Sequence, residues 1–155
     1  MLDDAPTTKL VIRLATPDDI AQIDYLDSLS DSPTRDIHRD IEKYFGSIDP
    51  STHEHTFIFL AEIDGIAQAK IELMVPPSDT ANATGYVKRV IVHPQQRGKG
   101  LAKLLMQHLL KFAREERKLQ AIDLHVWEKN LPAIHLYEAL GFELQHRELY
   151  YRLPL

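Results

Sequence analysis

The stretch Arg97-Gly98-Lys99-Gly100-Leu101-Ala102 decides the fold, because it joins an apolar strand to an amphipathic helix. Before it, residues 86–92 are rich in β-branched side chains and are followed by the break His93-Pro94. After it, apolar residues recur at the spacing of one helical face: Leu101, Leu104, Leu105, Leu109 and Phe112. Such a turn leaves backbone N–H groups unpaired at the positive end of a helix dipole, which favours a phosphate or pyrophosphate. The sequence therefore predicts a phosphate-binding strand–loop–helix unit.

The spacing of this loop excludes two common phosphate-binding loops. A Walker A loop has Gly where this chain has His93, and Ser or Thr where it has Gly100. A dinucleotide-binding fingerprint has its third Gly where this chain has Lys103. What remains is the pattern Arg-x-x-Gly-x-Ala over residues 97–102.

A second motif lies about thirty residues further along the chain. After an apolar run at residues 121–127, the chain follows the pattern Asn-x-x-Ala-x-x-Leu-Tyr-x-x-x-Gly-Phe with Asn130, Ala133, Leu136, Tyr137, Gly141 and Phe142. The two motifs together, in this order and at this distance, resemble the GNAT superfamily of N-acetyltransferases. The specific resemblance covers about residues 85–142, and the first half of the chain matches only in its general pattern.

The resemblance implies an α/β fold in a single domain, residues 1–155. Its mixed, mostly antiparallel sheet has seven strands, of which the fourth and fifth splay apart like a V, and four helices accompany it. The residue patterns place strands at 9–14, 56–63, 66–75, 85–92, 121–127, 142–146 and 149–153. They place helices at about 17–29, 34–44 and 98–116 and a last helix between the cap Asn130 and Gly141.

The resemblance also implies acetyl-CoA as the co-substrate. Its pyrophosphate would bind the main-chain amides of Gly98, Lys99, Gly100, Leu101, Ala102 and Lys103, with Arg97 adding positive charge. Its pantetheine arm would lie along Val90, Ile91 and Val92, and Asn130, Ala133 and Tyr137 would complete the contacts. Each of these residues also has a purely structural interpretation: turn geometry for the glycines, a solvated surface cation for Arg97 or Lys99, and a helix N-cap for Asn130.

Three residues are predicted to be catalytic by the same resemblance. Tyr137 would protonate the departing thiolate, and the Val92 N–H would bind the thioester carbonyl oxygen. His125 stands where one branch of the family has a Glu, so it is the candidate general base, with Glu72 and His93 as weaker alternatives. The competing interpretations are a core aromatic for Tyr137 and a half-exposed strand position for His125. The amine would attack the thioester directly, and the chain has no Cys to form a covalent intermediate.

Composition limits the partners. A net charge of −5 argues against nucleic acid, and no run approaches the roughly 18 apolar residues of a membrane span. Because residues 1–4 are acidic and no apolar run follows them, we expect a cytoplasmic protein. His53-Glu54-His55 lacks an evident third ligand, so no metal is predicted.

The acceptor is expected to be a small-molecule amine or a peptide, bound under a lip formed by residues 24–44. Acids in this lip either attract a cation or form a solvated helix face: Asp24, Asp27, Asp31, Asp36 and Asp40. Exposed edge strands make a homodimer an expectation. The alternative function is a non-catalytic regulatory module that binds acyl-CoA.

Overall fold

A computed structural model describes residues 8–46, 48–77 and 83–155, which fall into two compact units, one reaching to Leu124 and the other His125–Leu155. The acidic residues 1–4 and residues 78–79 of the predicted loop after the third strand lie outside the described residues. The assignment of residues 1–155 to one domain remains a prediction.

The first unit is built on a mixed sheet in the order β1-β2-β3-β4-β5. Its strands are β1 Leu10–Leu14, β2 His55–Ile63, β3 Ile66–Val75, β4 Thr84–Val92 and β5 Ala121–Asp123. Neighbouring strands pair antiparallel except β4 and β5, which are parallel. Asp64 and Gly65, at φ 51° and 82°, form the tight turn between β2 and β3 that an Asp-Gly pair predicts.

Three helices belong to this unit: α1 Ile20–Ser28, α2 Ile41–Tyr44 and α3 Leu101–Glu115. A 3-10 turn at Pro17–Asp19 leads into α1, where the Asp19 carboxylate accepts a 2.8 Å hydrogen bond from the Thr16 N–H. The predicted helix over 34–44 is wrong in length, since only its last turn is helical. Upstream of it, the Asp36 carboxylate accepts a hydrogen bond from the His38 N–H, a local bond that competes with helix formation.

The helices cover both faces of the sheet. Ile58 and Leu60 on β2 join a buried cluster with Ile23 and Leu26 of α1. The alternate β2 residues Phe57 and Phe59 point to the opposite face and contact Phe112 of α3, with ring centroids 4.9 and 5.2 Å apart. The sheet is therefore a buried central layer, so any charged side chain at its centre needs a partner.

The second unit contains α4, Leu131–Ala139, and no strand among its described residues. The predicted strands over 142–146 and 149–153 are therefore wrong, and the fifth strand ends at Asp123 instead of residue 127. The two missing strands are linked by Arg147-Glu148, without the Gly, Asn or Asp of a tight hairpin turn, and an isolated hairpin is marginally stable. The fold class and the four helices are confirmed, but the sheet has five strands, not seven, in the described chain.

Within the described ranges, no helix combines the length and the apolar character that crossing a bilayer requires.

Candidate active site

A β-bulge interrupts β4 just before its end. Lys70 of β3 pairs with Ile91, whereas Glu72, two residues further on, pairs with Lys88, so β4 holds one extra residue there. Arg89 within the bulge has φ 51°, a left-handed conformation that is uncommon outside glycine. The bulge therefore lies at residues 89–90, close to the end of β4 at Val92.

The last residues of β4 present backbone groups away from β3. The His93 N–H donates to the Gln68 oxygen at 2.8 Å, and hydrogen-bonding residues alternate along an antiparallel pair. The Val92 N–H consequently points to the opposite edge of β4. On that edge β5 pairs with β4 only at residues 84–86 of β4. The two strands are therefore joined at one end, as expected for strands that splay apart like a V.

The loop after β4 opens directly onto α3. Gly98 and Gly100 adopt left-handed conformations, with φ 77° and 80°, and a Cβ at either position would meet no atom within 4 Å. Gly100 is the N-cap of α3, and the first helical hydrogen bond runs from the Leu104 N–H to the Gly100 oxygen. The amides of residues 101–103 therefore precede the helix's own bonding, and the space beside the two glycines is open. This arrangement fits a diphosphate.

The cations of the loop are at the surface. Arg97, Lys99 and Lys103 are exposed, and Lys99 Nζ lies 3.2 Å from the Gln96 side-chain oxygen. Leu101 is the member of the loop that is buried, so it anchors the first turn of α3 in the core. Positive side chains thus surround the amides without occupying the space in front of the glycines.

The two weaker base candidates are not arranged for that role. Glu72 is fully buried and accepts hydrogen bonds from Arg35 and Lys70. Burial alone would raise the pKa of its carboxyl, but the bonds and charges of Arg35 and Lys70 outweigh this and hold the pKa below its ordinary value. His93 Nδ1 accepts from the Gln95 N–H at 3.1 Å, and its Nε2 lies 3.3 Å from the Tyr25 hydroxyl, so both ring nitrogens have partners.

In the second unit, Asn130 and Tyr137 lie on α4. The Asn130 side-chain oxygen accepts a 3.3 Å hydrogen bond from the Ala133 N–H, which confirms the N-cap interpretation. The half-buried Tyr137 ring packs edge-on against Phe142 at a centroid distance of 5.8 Å. Burial raises the pKa of the Tyr137 phenol, because it disfavours the phenolate. The phenol therefore keeps a proton to donate at neutral pH.

His125 lies in the same unit on an exposed segment outside any strand. Its Nε2 is 3.8 Å from a Glu148 carboxylate oxygen, which is also 3.3 Å from His146 Nε2. Ligand-type atoms of these three exposed residues lie within 4.8 Å of one another. No metal is predicted at His53-Glu54-His55. In this motif, His55 Nδ1 donates a 3.1 Å hydrogen bond to the Gly46 carbonyl oxygen.

Residues 18–142 match the model of the Acetyltransferase (GNAT) family. The chain belongs to this family. Its GNAT relatives include the glucosamine 6-phosphate N-acetyltransferase of Trypanosoma brucei brucei, 33% identical over 96 residues, or 61% of this chain and 63% of that protein. They also include the spermine/spermidine N(1)-acetyltransferase of Bacillus subtilis (strain 168), 32% identical over 65 residues, or 42% of this chain and 43% of that protein.

These matches cover less than two thirds of either relative's length. Among solved structures, the aminoglycoside N-acetyltransferase AAC(6')-Iy in complex with CoA superposes with a TM-score of 0.74 at 20% identity, covering 97% of this chain and 99% of that one. At that identity the likeness shows the GNAT fold alone.

Sequence reasoning missed Lys70 and Arg89 and considered Glu72 only as a weaker candidate for the general base. Lys70, Glu72 and Arg89 lie within strands that otherwise read as apolar, and the first two are fully buried. Asp27, predicted to attract a cationic acceptor, is already paired with Arg35 and Lys70, whereas Asp24, Asp31, Asp36 and Asp40 are exposed. The signal that could have indicated these residues is a charged side chain within an otherwise apolar strand.

Proposed function

We propose that this GNAT protein transfers the acetyl group of acetyl-CoA to a primary amine. The observation that carries the proposal is the loop after β4, where Gly98 and Gly100 leave open space in front of the unbonded first amides of α3. A diphosphate bound there would orient the rest of the coenzyme along β4, where the Val92 N–H faces away from β3.

Each part of the loop has a distinct role in this proposal. The amides of residues 98–103 bind the diphosphate, and the two glycines leave the room that the ligand needs. Arg97 adds positive charge at the surface. Val90, Ile91 and Val92 offer main-chain groups to the amides of the pantetheine arm, and Asn130, Ala133 and Tyr137 are proposed to contact the same arm.

The proposed chemistry requires no covalent enzyme intermediate. The amine nitrogen bonds to the thioester carbonyl carbon, the C–S bond breaks, the amine loses a proton and the sulfur gains one. Val92 N–H donates to the carbonyl oxygen, where negative charge develops. Tyr137 is proposed to protonate the sulfur, since its pKa is raised and its phenol stays neutral. His125 is proposed as the general base, acting directly or through water.

The comparisons support an amine acceptor without naming one. One relative is named for glucosamine 6-phosphate and another for spermine and spermidine, which are all amines of small size. A structure of the same fold was solved with CoA. We therefore propose a small-molecule amine as the acceptor, with the amine of a peptide as the alternative.

Two measurements on the full chain test the proposal. Acetyl-CoA at 100 times its Kd should stabilise the native state by about 2.7 kcal/mol. For a domain of this size that corresponds to a rise in Tm of roughly 5–10 °C. A panel of amines with acetyl-CoA should release free thiol, and mass spectrometry should find a product heavier by one acetyl group. Stabilisation without turnover of any amine would favour the regulatory acyl-CoA-binding module, and the absence of stabilisation would contradict the site.

A further inference from the structure

Five charged side chains meet on the α1 side of the sheet, and we refer to them as the buried charge cluster. They are Asp27 of α1, Arg35 from the segment between α1 and α2, Lys70 and Glu72 of β3, and Arg89 of β4. The exposed fraction of these side chains is between 0% and 14%. Because the cluster is largely shielded from water, an unbalanced charge within it is energetically costly.

Two of the cations neutralise the two carboxylates. Arg35 donates to both oxygens of Glu72, with 2.7 Å from Nη1, and its Nε donates to Asp27 at 3.0 Å. Lys70 Nζ contacts Glu72 as well and lies 2.8 Å from an Asp27 oxygen. Both carboxylates thus have a cation close by without Arg89, and the Asp27 Oδ1 atom is held by the charge of Lys70 and not by a hydrogen bond from the described residues.

Arg89 is the third cation and has weaker partners. Its Nη1 lies 3.7 Å from Asp27, beyond hydrogen-bond distance, and this buried atom has no hydrogen-bond acceptor among the described residues. Its Nη2 donates to the Pro33 carbonyl at 2.9 Å. The cluster therefore carries one positive charge in excess, on a guanidinium that still has donor capacity.

The neighbouring Lys88 also senses the charges of this cluster. Its pKa is lowered, first because the side chain is partly desolvated and further because Lys43, Arg35 and Arg89 repel a positive charge there. The charge of Glu72 opposes this effect without reversing it. An added anion would relieve the repulsion.

The excess charge lies beside the proposed acetyl-transfer position. Arg89 is in the β4 bulge, three residues before Val92, so their Cα atoms are at most about 10 Å apart. Pro33, which accepts from Arg89, belongs to the lip over residues 24–44. A ligand group that displaced the Pro33 carbonyl from Arg89 would therefore also lie near the end of β4.

We propose that the acceptor amine also carries an anionic oxygen group, a carboxylate or a phosphate, and that Arg89 binds this group. This inference rests on the proposed acetyl transfer. The anion would accept from the unpartnered Nη1 and replace the Pro33 carbonyl at Nη2, since a guanidinium binds both kinds of anion through two parallel N–H groups. Polycationic amines such as spermine would be poor acceptors, because they bring positive charge to a cluster that already has too much.

The test compares pairs of amines that differ in the anion alone. Glucosamine 6-phosphate is measured against glucosamine for the phosphate, and an α-amino acid against its amide for the carboxylate. The wild-type protein should show a kcat/KM at least about tenfold higher for the anionic member of one pair. Whichever pair shows the preference identifies the anion.

Arg89→Gln should abolish that preference, because it lowers kcat/KM for the anionic amine by at least about tenfold more than for the uncharged amine. It should fold, because Arg35 and Lys70 still balance Asp27 and Glu72. Arg89→Lys should restore part of the preference, and Lys111→Gln, which removes a charge from the exposed side of α3, should leave it intact.

The inference is overturned if the wild type prefers the uncharged amine or spermine, or if Arg89→Gln lowers kcat/KM equally for both members of a pair. If acetyl-CoA binds but no amine is acetylated, the proposed function fails by itself. Calorimetric titration of glucosamine 6-phosphate and glucosamine into the CoA-bound protein then decides the inference: tighter binding of the phosphate that Arg89→Gln removes supports it, and equal binding refutes it.

Discussion

Glu72→Gln should sharply destabilise the native protein. The substitution leaves Lys70 and Arg35 covered, with side-chain exposures of 0% and 9%, but without the carboxylate that both contact. Breaking a buried ion pair by removing one partner costs about 3–5 kcal/mol. The free energy of unfolding of a domain is roughly 5–15 kcal/mol in total, so this loss is a large fraction of its stability. At roughly 2–4 °C per kcal/mol, Tm should fall by about 6–20 °C.

The charge count predicts that Lys70→Met costs clearly less. After Glu72→Gln, three cations face the single carboxylate of Asp27. After Lys70→Met, Arg35 and Arg89 face Asp27 and Glu72, so the charges balance. Methionine also keeps the unbranched apolar stem that fills the space of the lysine side chain.

The assay is urea unfolding at pH 7, followed by circular dichroism, with the slope of the transition checked for two-state behaviour. Glu128→Gln is the control, because that carboxylate is 84% exposed and lies 3.9 Å from Arg147, so its removal should cause no measurable change. A loss of less than about 1 kcal/mol for Glu72→Gln would refute the reasoning. So would a loss for Lys70→Met as large as that for Glu72→Gln.

Three further outcomes are expected. Tyr137→Phe should lower kcat by about 100-fold while leaving the Kd of acetyl-CoA unchanged, because the phenol donates its proton only as the C–S bond breaks; full activity would remove it as the acid. Gly100→Asp should weaken acetyl-CoA binding by at least about tenfold. The control Gly65→Asp, at a similar φ and also in open space, should not weaken it. Equal affinities of the two variants for acetyl-CoA, measured by calorimetry, would contradict the loop assignment. Asp19 has a pKa lowered chiefly by its hydrogen bonds from Arg13, so its stabilisation is present above its ordinary pKa and is lost as pH falls. The difference in unfolding free energy between wild type and Asp19→Asn should be constant above about pH 5 and shrink below about pH 4, and a difference that grows on acidification would be inconsistent with this linkage.

Much of the local structure was predictable from short-range patterns. The Asp64-Gly65 turn, both bounds of β3 and the Asn130 cap all depend on residues within a few positions of one another. The long helix, predicted from Gly98, begins at Leu101 instead. Backbone conformation at a glycine and the spacing of apolar residues along a helix are local properties, so the sequence alone determines them. The fold class, which the resemblance implied, and the glycine-rich turn between strand and helix therefore came from the sequence.

The acceptor side of the site was decided by tertiary structure. Arg35 and Glu72 are 37 positions apart, and nothing local indicates that a lip residue will neutralise a carboxylate in the centre of the sheet. The bulge at Arg89 likewise arises from the register between β3 and β4, which involves two strands at once. The strands predicted over 142–146 and 149–153 were wrong for a related reason. An alternating pattern becomes a strand only where a partner strand supplies its hydrogen bonds, and the sequence does not show whether such a partner is present. Short-range chemistry thus determined the shape of the loop after β4, and long-range pairing determined which charges meet on the α1 side of the sheet.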